Sequence, residues 1–163
     1  MANTQSMCTT FMEELLTATH DFTPSTGDTF YGALLLASST FNASSTAYTG
    51  TVGSVTMSGE VSGTNYNAGG VAVTNATAPN STNTSSTAGV AYWTPSASLV
   101  YTNVTLSTAF DALMLYNYTK GTGGDYPAVS IHTFGSQTVT AGTFTLTMPT
   151  NNTTNALIRL ATT

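Results

Sequence analysis

The hydrophobic and polar positions change period once along the chain. Near the start, Phe11, Leu15, Ala18 and Phe22 recur at helical spacing on an otherwise polar segment, which is the signature of an amphipathic helix. Thr10-Phe11-Met12-Glu13 has the form of a capping box, and Glu13 and Glu14 fall in the first turn, where the helix dipole favours them. Pro24 closes the segment, because the residue before a proline avoids the α region. The pattern predicts one short helix over residues 11–22, preceded by an N-terminal arm of residues 1–10. The stripe has to dock either on its own domain or on a neighbouring subunit.

From Asp28 onward the pattern shortens to β-rich runs separated by clusters of Gly, Asn and Ser. Predicted strands are Asp28–Ala37, Val55–Val61, Val71–Thr74, Gly89–Thr94, Leu99–Leu106, Phe110–Tyr118, Ala128–Phe134, Thr143–Met148 and Asn155–Leu160. The clearest alternation is in Thr143–Met148, which puts Phe144, Leu146 and Met148 on one face and three threonines on the other. Residues 38–53 and 74–88 read as long polar surface connections. The whole fits a mostly β chain: an antiparallel β-sandwich or jelly-roll-like domain over residues 11–163 with one short N-terminal helix. No fixed-period repeat points to a solenoid or propeller.

Composition narrows the function classes. Charged residues make up 6% of the 163 positions against 40% hydrophobic, and the formal charge is -5, a balance that favours folding over disorder. Lys120 and Arg159 are the two cations, too few to neutralise several phosphates, so nucleic-acid binding is not expected. The apolar run at Ala33–Ala37 is far too short to span a bilayer, and the opening residues lack a cationic then apolar leader pattern, so neither membrane insertion nor secretion is expected. Cys8 is the single cysteine, which leaves no intrachain disulfide to expect.

Candidate chemistry is sparse. His20-Asp21 sits at the predicted helix end, where an imidazole can bond the last carbonyls. His132 lies mid-strand and alternation groups it with Ser130 and Phe134, which suits a satisfied or solvent-facing histidine better than a general base. Gly121-Thr122-Gly123-Gly124 before Asp125 reads as a hairpin turn rather than a calcium or phosphate loop, since it has one carboxylate and no Gly-Lys-Ser/Thr ending. Tyr92, Trp93, Tyr101, Tyr116 and Tyr118 fall mostly inside predicted strands and read as packing residues before they read as a sugar platform. No catalytic, cofactor-binding or metal-ligating residue is assigned, and no enzyme is expected.

The order of segments adds a resemblance. The opening FMEELLTATHDF, then GDTFYGALLLASSTFNASSTAYTG, GEVSGTNYNAGGVAV, the stretch around FDALMLYNYTKG and the closing AVSIHTFGSQTVTAGTFTLTMP with ALIRLA resemble a family of small virion proteins of tailed bacteriophages, over most of residues 11–161. The block Gly59–Tyr66 is the most distinctive part. The resemblance implies a structural place in the particle: a head decoration or cement protein that binds the major capsid protein lattice, with a neck or tail position, or a carbohydrate-binding adhesion module on the particle surface, as the alternatives. It further implies a homo-oligomer, a trimer where lattice three-folds are occupied, assembled into virions in the bacterial cytoplasm. It brings no catalytic residues. The chain departs from the family in having fewer lysines and a longer polar stretch between Val73 and Ala88.

Overall fold

The computed structural model describes residues 2–82 and 89–162. In chain order the elements are β1 (Ser6–Met7), α1 (Thr9–Leu16), β2 (Phe30–Leu36), β3 (Ala47–Tyr48), β4 (Val71–Ala72), β5 (Asn80–Ser81), β6 (Val90–Trp93), β7 (Leu99–Asn117), β8 (Tyr126–Leu146) and β9 (Ile158–Ala161). The fold is mostly β, with antiparallel sheets and one short helix. The larger sheet has the order β1-β8-β7-β2-β4, with β3 also paired to β8, and the smaller one the order β5-β6-β9. Every pairing among these strands is antiparallel.

One hairpin organises the molecule. Four expected strands, Leu99–Leu106, Phe110–Tyr118, Ala128–Phe134 and Thr143–Met148, merge into β7 and β8, which run 19 and 21 residues. The polar gaps that suggested breaks are absorbed as irregularities of the ladder, which shifts register between Tyr101 and Val104, Leu106 and Phe110, and Phe110 and Ala112. Asn103 (φ 53), Gly135 (φ 80) and Ala141 (φ 46) take left-handed backbone within this ribbon, as bulged residues do. The glycine run after Lys120 closes the hairpin, with reciprocal backbone bonds between Thr122 and Asp125. The turn reading of that segment therefore holds.

The centre of the hairpin is buried on both faces. Leu113, Met114, Leu115, Tyr116, Ala128, Val129 and Ile131 have 1% exposure or less. β2 lies against β7 with Ala33 opposite Met114 and Leu34 opposite Leu113, so the run FYGALLL reads as continuous apolar sequence because neither face meets water. α1 and the small sheet supply further cover, and Phe22, Phe30 and Trp93 interlock where they meet, with centroids 4.5 Å apart for Phe22–Phe30 and 4.9 Å for Phe22–Trp93.

Several expectations need correction. The helix spans Thr9–Leu16 rather than 11–22, with Cys8 as N-cap and no side-chain cap. The capping box does not form, and the Thr10 hydroxyl is buried without a partner. Ala18 turns the chain with φ 55, so Phe22 returns to Phe11 (6.1 Å) along a loop rather than a helix face. Residues 1–10 are no free arm over the described part. Asn3 donates to Leu36 O (3.0 Å) and Asp111 Oδ1 (2.6 Å) and accepts from Phe41 N (3.0 Å), and β1 joins β8. Val55–Val61 is no strand: only isolated bridges Thr51–Val55 and Leu35–Glu60 touch it. The last strand starts at Ile158 rather than Asn155, because Asn152 Oδ1 takes the Thr154 and Asn155 amides (2.9 and 2.8 Å) into a turn. The polar connection expected over 74–88 contains β5, and its residues 83–88 lie outside the described part. Among the described residues, no helix is long and apolar enough to cross a membrane.

Candidate functional site

The ionisable groups gather in three places, of which the first is built around Glu60. This side chain is 4% exposed in the middle of the loop that replaced an expected strand. Its Oε2 accepts from Tyr48 Oη (2.7 Å) and Met57 N (2.9 Å), and its Oε1 from Tyr66 Oη (2.8 Å) and Gly69 N (2.7 Å). Burial pushes the carboxyl above its ordinary range, against the pull of all four donors. A second ring of tyrosines extends the network. Tyr116 stacks on Tyr48 at 4.5 Å and donates to Gly69 O (2.8 Å), while Tyr66 Oη also accepts from Leu34 N (3.0 Å). One carboxylate thus gathers residues 48–69 onto β2 and β7.

The second place joins α1 to the β7–β8 turn. His20 has a fully buried side chain, and its Nε2 lies 2.8 Å from Glu14 Oε2. Its Nδ1 lies 2.9 Å from Asn117 Nδ2, which also donates to Asp28 Oδ2 (2.8 Å). Asn117 Oδ1 accepts from Lys120 N (3.2 Å), which fixes the amide. His20 Nδ1 is therefore the acceptor and Nε2–H donates to Glu14. Lys120 Nζ closes the chain 3.3 Å from Asp28 Oδ1. The helix-end carbonyls expected as partners of His20 are replaced by side chains from α1 and β7. The relay ties α1, the segment after it and the start of the β7–β8 turn together through side chains.

The third place is on β8. Ser130 Oγ and His132 Nε2 are 2.8 Å apart, as the strand alternation predicted, beside a groove of about 410 Å³ lined also by Gln5, Ser6, Asn155 and Arg159. A serine beside an imidazole is the start of a nucleophile and base pair. Here the serine is 3% exposed, and among the described residues no carboxylate bonds the other ring nitrogen to orient it. Burial lowers the His132 pKa from 6.5 to about 4, so the ring is neutral at physiological pH.

No family model, curated protein or solved structure matches the chain. Among the described residues, no group of three His, Cys, Asp or Glu side chains is placed to hold a metal ion. Of the aromatic residues weighed as a sugar platform, Trp93 is 3%, Tyr101 2% and Tyr116 0% exposed, with Trp93 Nε1 donating to Asn75 Oδ1 and Thr77 O and Tyr101 Oη to Gly32 O. Tyr92 is half-buried and lines a shallow apolar pocket with Trp93. Tyr118 keeps 40% exposure, but it stacks on Tyr126 at 5.3 Å.

What the molecule presents outward is the distal half of the hairpin. β8 meets β3 at Tyr126 and Pro127 and β1 at Ser130 and Ile131, and beyond Ile131 it pairs with β7 alone. Its exposed positions there include Ser136, Gln137, Thr138, Thr140, Thr143 and Thr145. Sequence reasoning found the threonine face but not the free edge, which depends on where the two-residue β1 leaves the sheet.

Two consequences are measurable at these sites. The unfolded chain takes up a proton on His132 near pH 6.5 that the folded chain refuses until about pH 4. Stability contributed there is present above 6.5 and is lost as pH falls through that window, by up to about 3 kcal/mol. Glu60 acts with the opposite sign, since its raised folded pKa gives stability that is present below the ordinary glutamate range and fades as pH rises. Comparing urea midpoints of the wild type and His132→Gln from pH 4 to 7 isolates the histidine: the variant should lose markedly less on acidification. At the helix start, burial, with the Glu14 charge adding, pushes the Cys8 thiol up to about 12. Alkylation needs the thiolate, so Cys8 should stay unlabelled at pH 8 in the folded chain and react quickly in urea.

Proposed function

We propose that this protein is a structural component of a tailed-phage particle, a head decoration or cement protein that binds the major capsid protein lattice by shape and backbone contact. The observation that carries the reading is how the chain uses its polar groups. Glu60, His20, Asp28 and Glu14 are engaged in internal hydrogen bonds, whereas the long β7–β8 ribbon shows the outside a hydroxyl stripe. A surface of that kind recognises through backbone hydrogen bonds, small hydroxyls and half-buried apolar side chains such as Phe134 and Phe144, and it depends little on salt because few exposed charges are there to be screened. Repetition on a lattice multiplies contacts of modest strength. The segment order that resembles small virion proteins supports the same reading.

Quantitative mass spectrometry of purified particles from a phage encoding the chain tests it. The expected result is a copy number of the same order as the major capsid protein, with cross-links between the two. A few copies per particle would move the protein to the neck or tail, and absence from particles would overturn the proposal.

A further inference from the structure

The free edge of β8 is the longest unpaired strand edge among the described residues, and such edges are templates for pairing with another chain unless they are blocked. The usual blocks are charge, proline or a covering loop. No Asp, Glu, Lys or Arg lies between Asp125 and Arg159, and no proline between Pro127 and Pro149. The ladder is kinked by bulges up to Gly142 but regular over Phe144–Leu146, where Thr145 faces Val100 and Phe144 faces Tyr101. Thr143 and Thr145 are exposed, Val100 is 45% exposed, and Phe144 and Leu146 are half-buried.

We propose that this edge is a seam at which a second copy of the chain adds its own β8, antiparallel, across Gly142–Leu146. The inference rests on the reading of the protein as one that works by contact, and it names the partner. Charge argues for a second copy. With a net charge of -5, two copies repel over most of their surfaces, yet here neither carries a like charge to oppose the other. Antiparallel self-pairing also brings equivalent residues together about a two-fold axis. Thr143 and Thr145 of one copy then lie beside Thr143 and Thr145 of the other, a favourable cross-strand combination. Phe144 and Leu146 of both copies form one continuous apolar face. Because the inner side of β8 is already occupied by β7, the contact uses up the free edge and closes. It yields a dimer rather than a fibre, and a two-fold unit rather than the three-fold one that the phage resemblance suggests.

Sedimentation equilibrium on the full chain tests this. The wild type is expected at dimer mass. Thr143→Lys with Thr145→Lys, at two exposed positions, should give a folded monomer by circular dichroism, and so should the corresponding double glutamate variant. Mixing the two variants should restore a dimer, a result that a simple folding defect cannot produce. In the unmodified chain, amides of Gly142–Leu146 should exchange with deuterium more slowly at high than at low protein concentration. A wild type that stays monomeric, forms a trimer, or dimerises regardless of the lysines would overturn the seam. Copy number in the particle is measured separately, so a missing seam leaves the virion proposal standing, and absence from particles leaves the seam standing.

Discussion

Replacing Glu60 by alanine is expected to cost about 4 kcal/mol or more, because it strands several buried donors at once and opens a cavity among them. Tyr48 and Tyr66 hydroxyls and the Met57 and Gly69 amides all point at this one carboxylate, and each buried donor left unpaired costs about 1–3 kcal/mol. Some relief comes from relaxation: Tyr48 Oη has Val55 O at 3.5 Å as a poor alternative acceptor. Glu60→Gln is the more informative variant. Its shape is right, but whichever way it turns its amide nitrogen must face one backbone amide donor, Met57 N or Gly69 N, and the tyrosine hydroxyl beside it must turn to accept, so it should recover only part of the loss. Tyr48→Phe removes one donor and should cost only about 1–2 kcal/mol, whereas Tyr66→Phe also takes the acceptor from the Leu34 amide and should cost about 2–4 kcal/mol. Urea midpoints rank the four variants, and near-ultraviolet circular dichroism reports whether the Tyr48–Tyr116 stack survives. If Glu60→Gln matched the wild type, the carboxylate would not be what holds residues 48–69 in place.

The same residue shows what the sequence could and could not convey. β2, β4 and β6 were legible because each is a run of apolar or β-branched residues bounded by Gly, Pro or Asn, a local signal that tertiary contacts only reinforce. β1, β3 and β5 are two residues long and sit in polar stretches with no apolar run to mark them, unlike the equally short β4, which opens the run Val71-Ala72-Val73 after Gly70. Val55–Val61 looked like a strand by composition, yet it carries Glu60 between Met57 and Val61. A lone carboxylate in an apolar run, in a chain so poor in charge and with Tyr48 and Tyr66 nearby in sequence, was the available sign of a buried polar centre. His20 gave no comparable sign, because its partner Asn117 is 97 positions away. The Ser130–His132 pair was visible through strand alternation, which needs only neighbours. The free edge of β8 was not, since an edge is defined by the strands that fail to arrive.

Gly70→Ala is expected to be as damaging as the loss of Glu60, for a reason that no contact inventory of the glycine itself reveals. A Cβ at this position would sit 1.7 Å from the carbonyl oxygen of Gly32, and the backbone has φ 77. The obstacle is main chain in the middle of β2, which is fixed by its ladder with β7, so neither side can yield by rotating a side chain. β4 must instead back away from β2, breaking the pairing of Val71 with Gly32 and Ala72 with Tyr31. It also loosens Gly69, whose amide and carbonyl serve Glu60 and Tyr116. The expected cost is about 4 kcal/mol, in the range of severe overpacking combined with a lost polar contact. Gly123→Ala supplies the control. It shares a positive φ of 66 but has nothing within 4 Å of the added Cβ, so it should cost only about 1 kcal/mol, the strain of left-handed backbone alone. A thermal unfolding series of the two variants separates close approach from backbone conformation. Equal losses would mean that the β2–β4 contact is looser than its geometry implies. A large loss confined to Gly70→Ala would show that the tyrosine network and the sheet edge are one cooperative unit, built to hold the loop of residues 49–70 rigid beneath the β7–β8 ribbon.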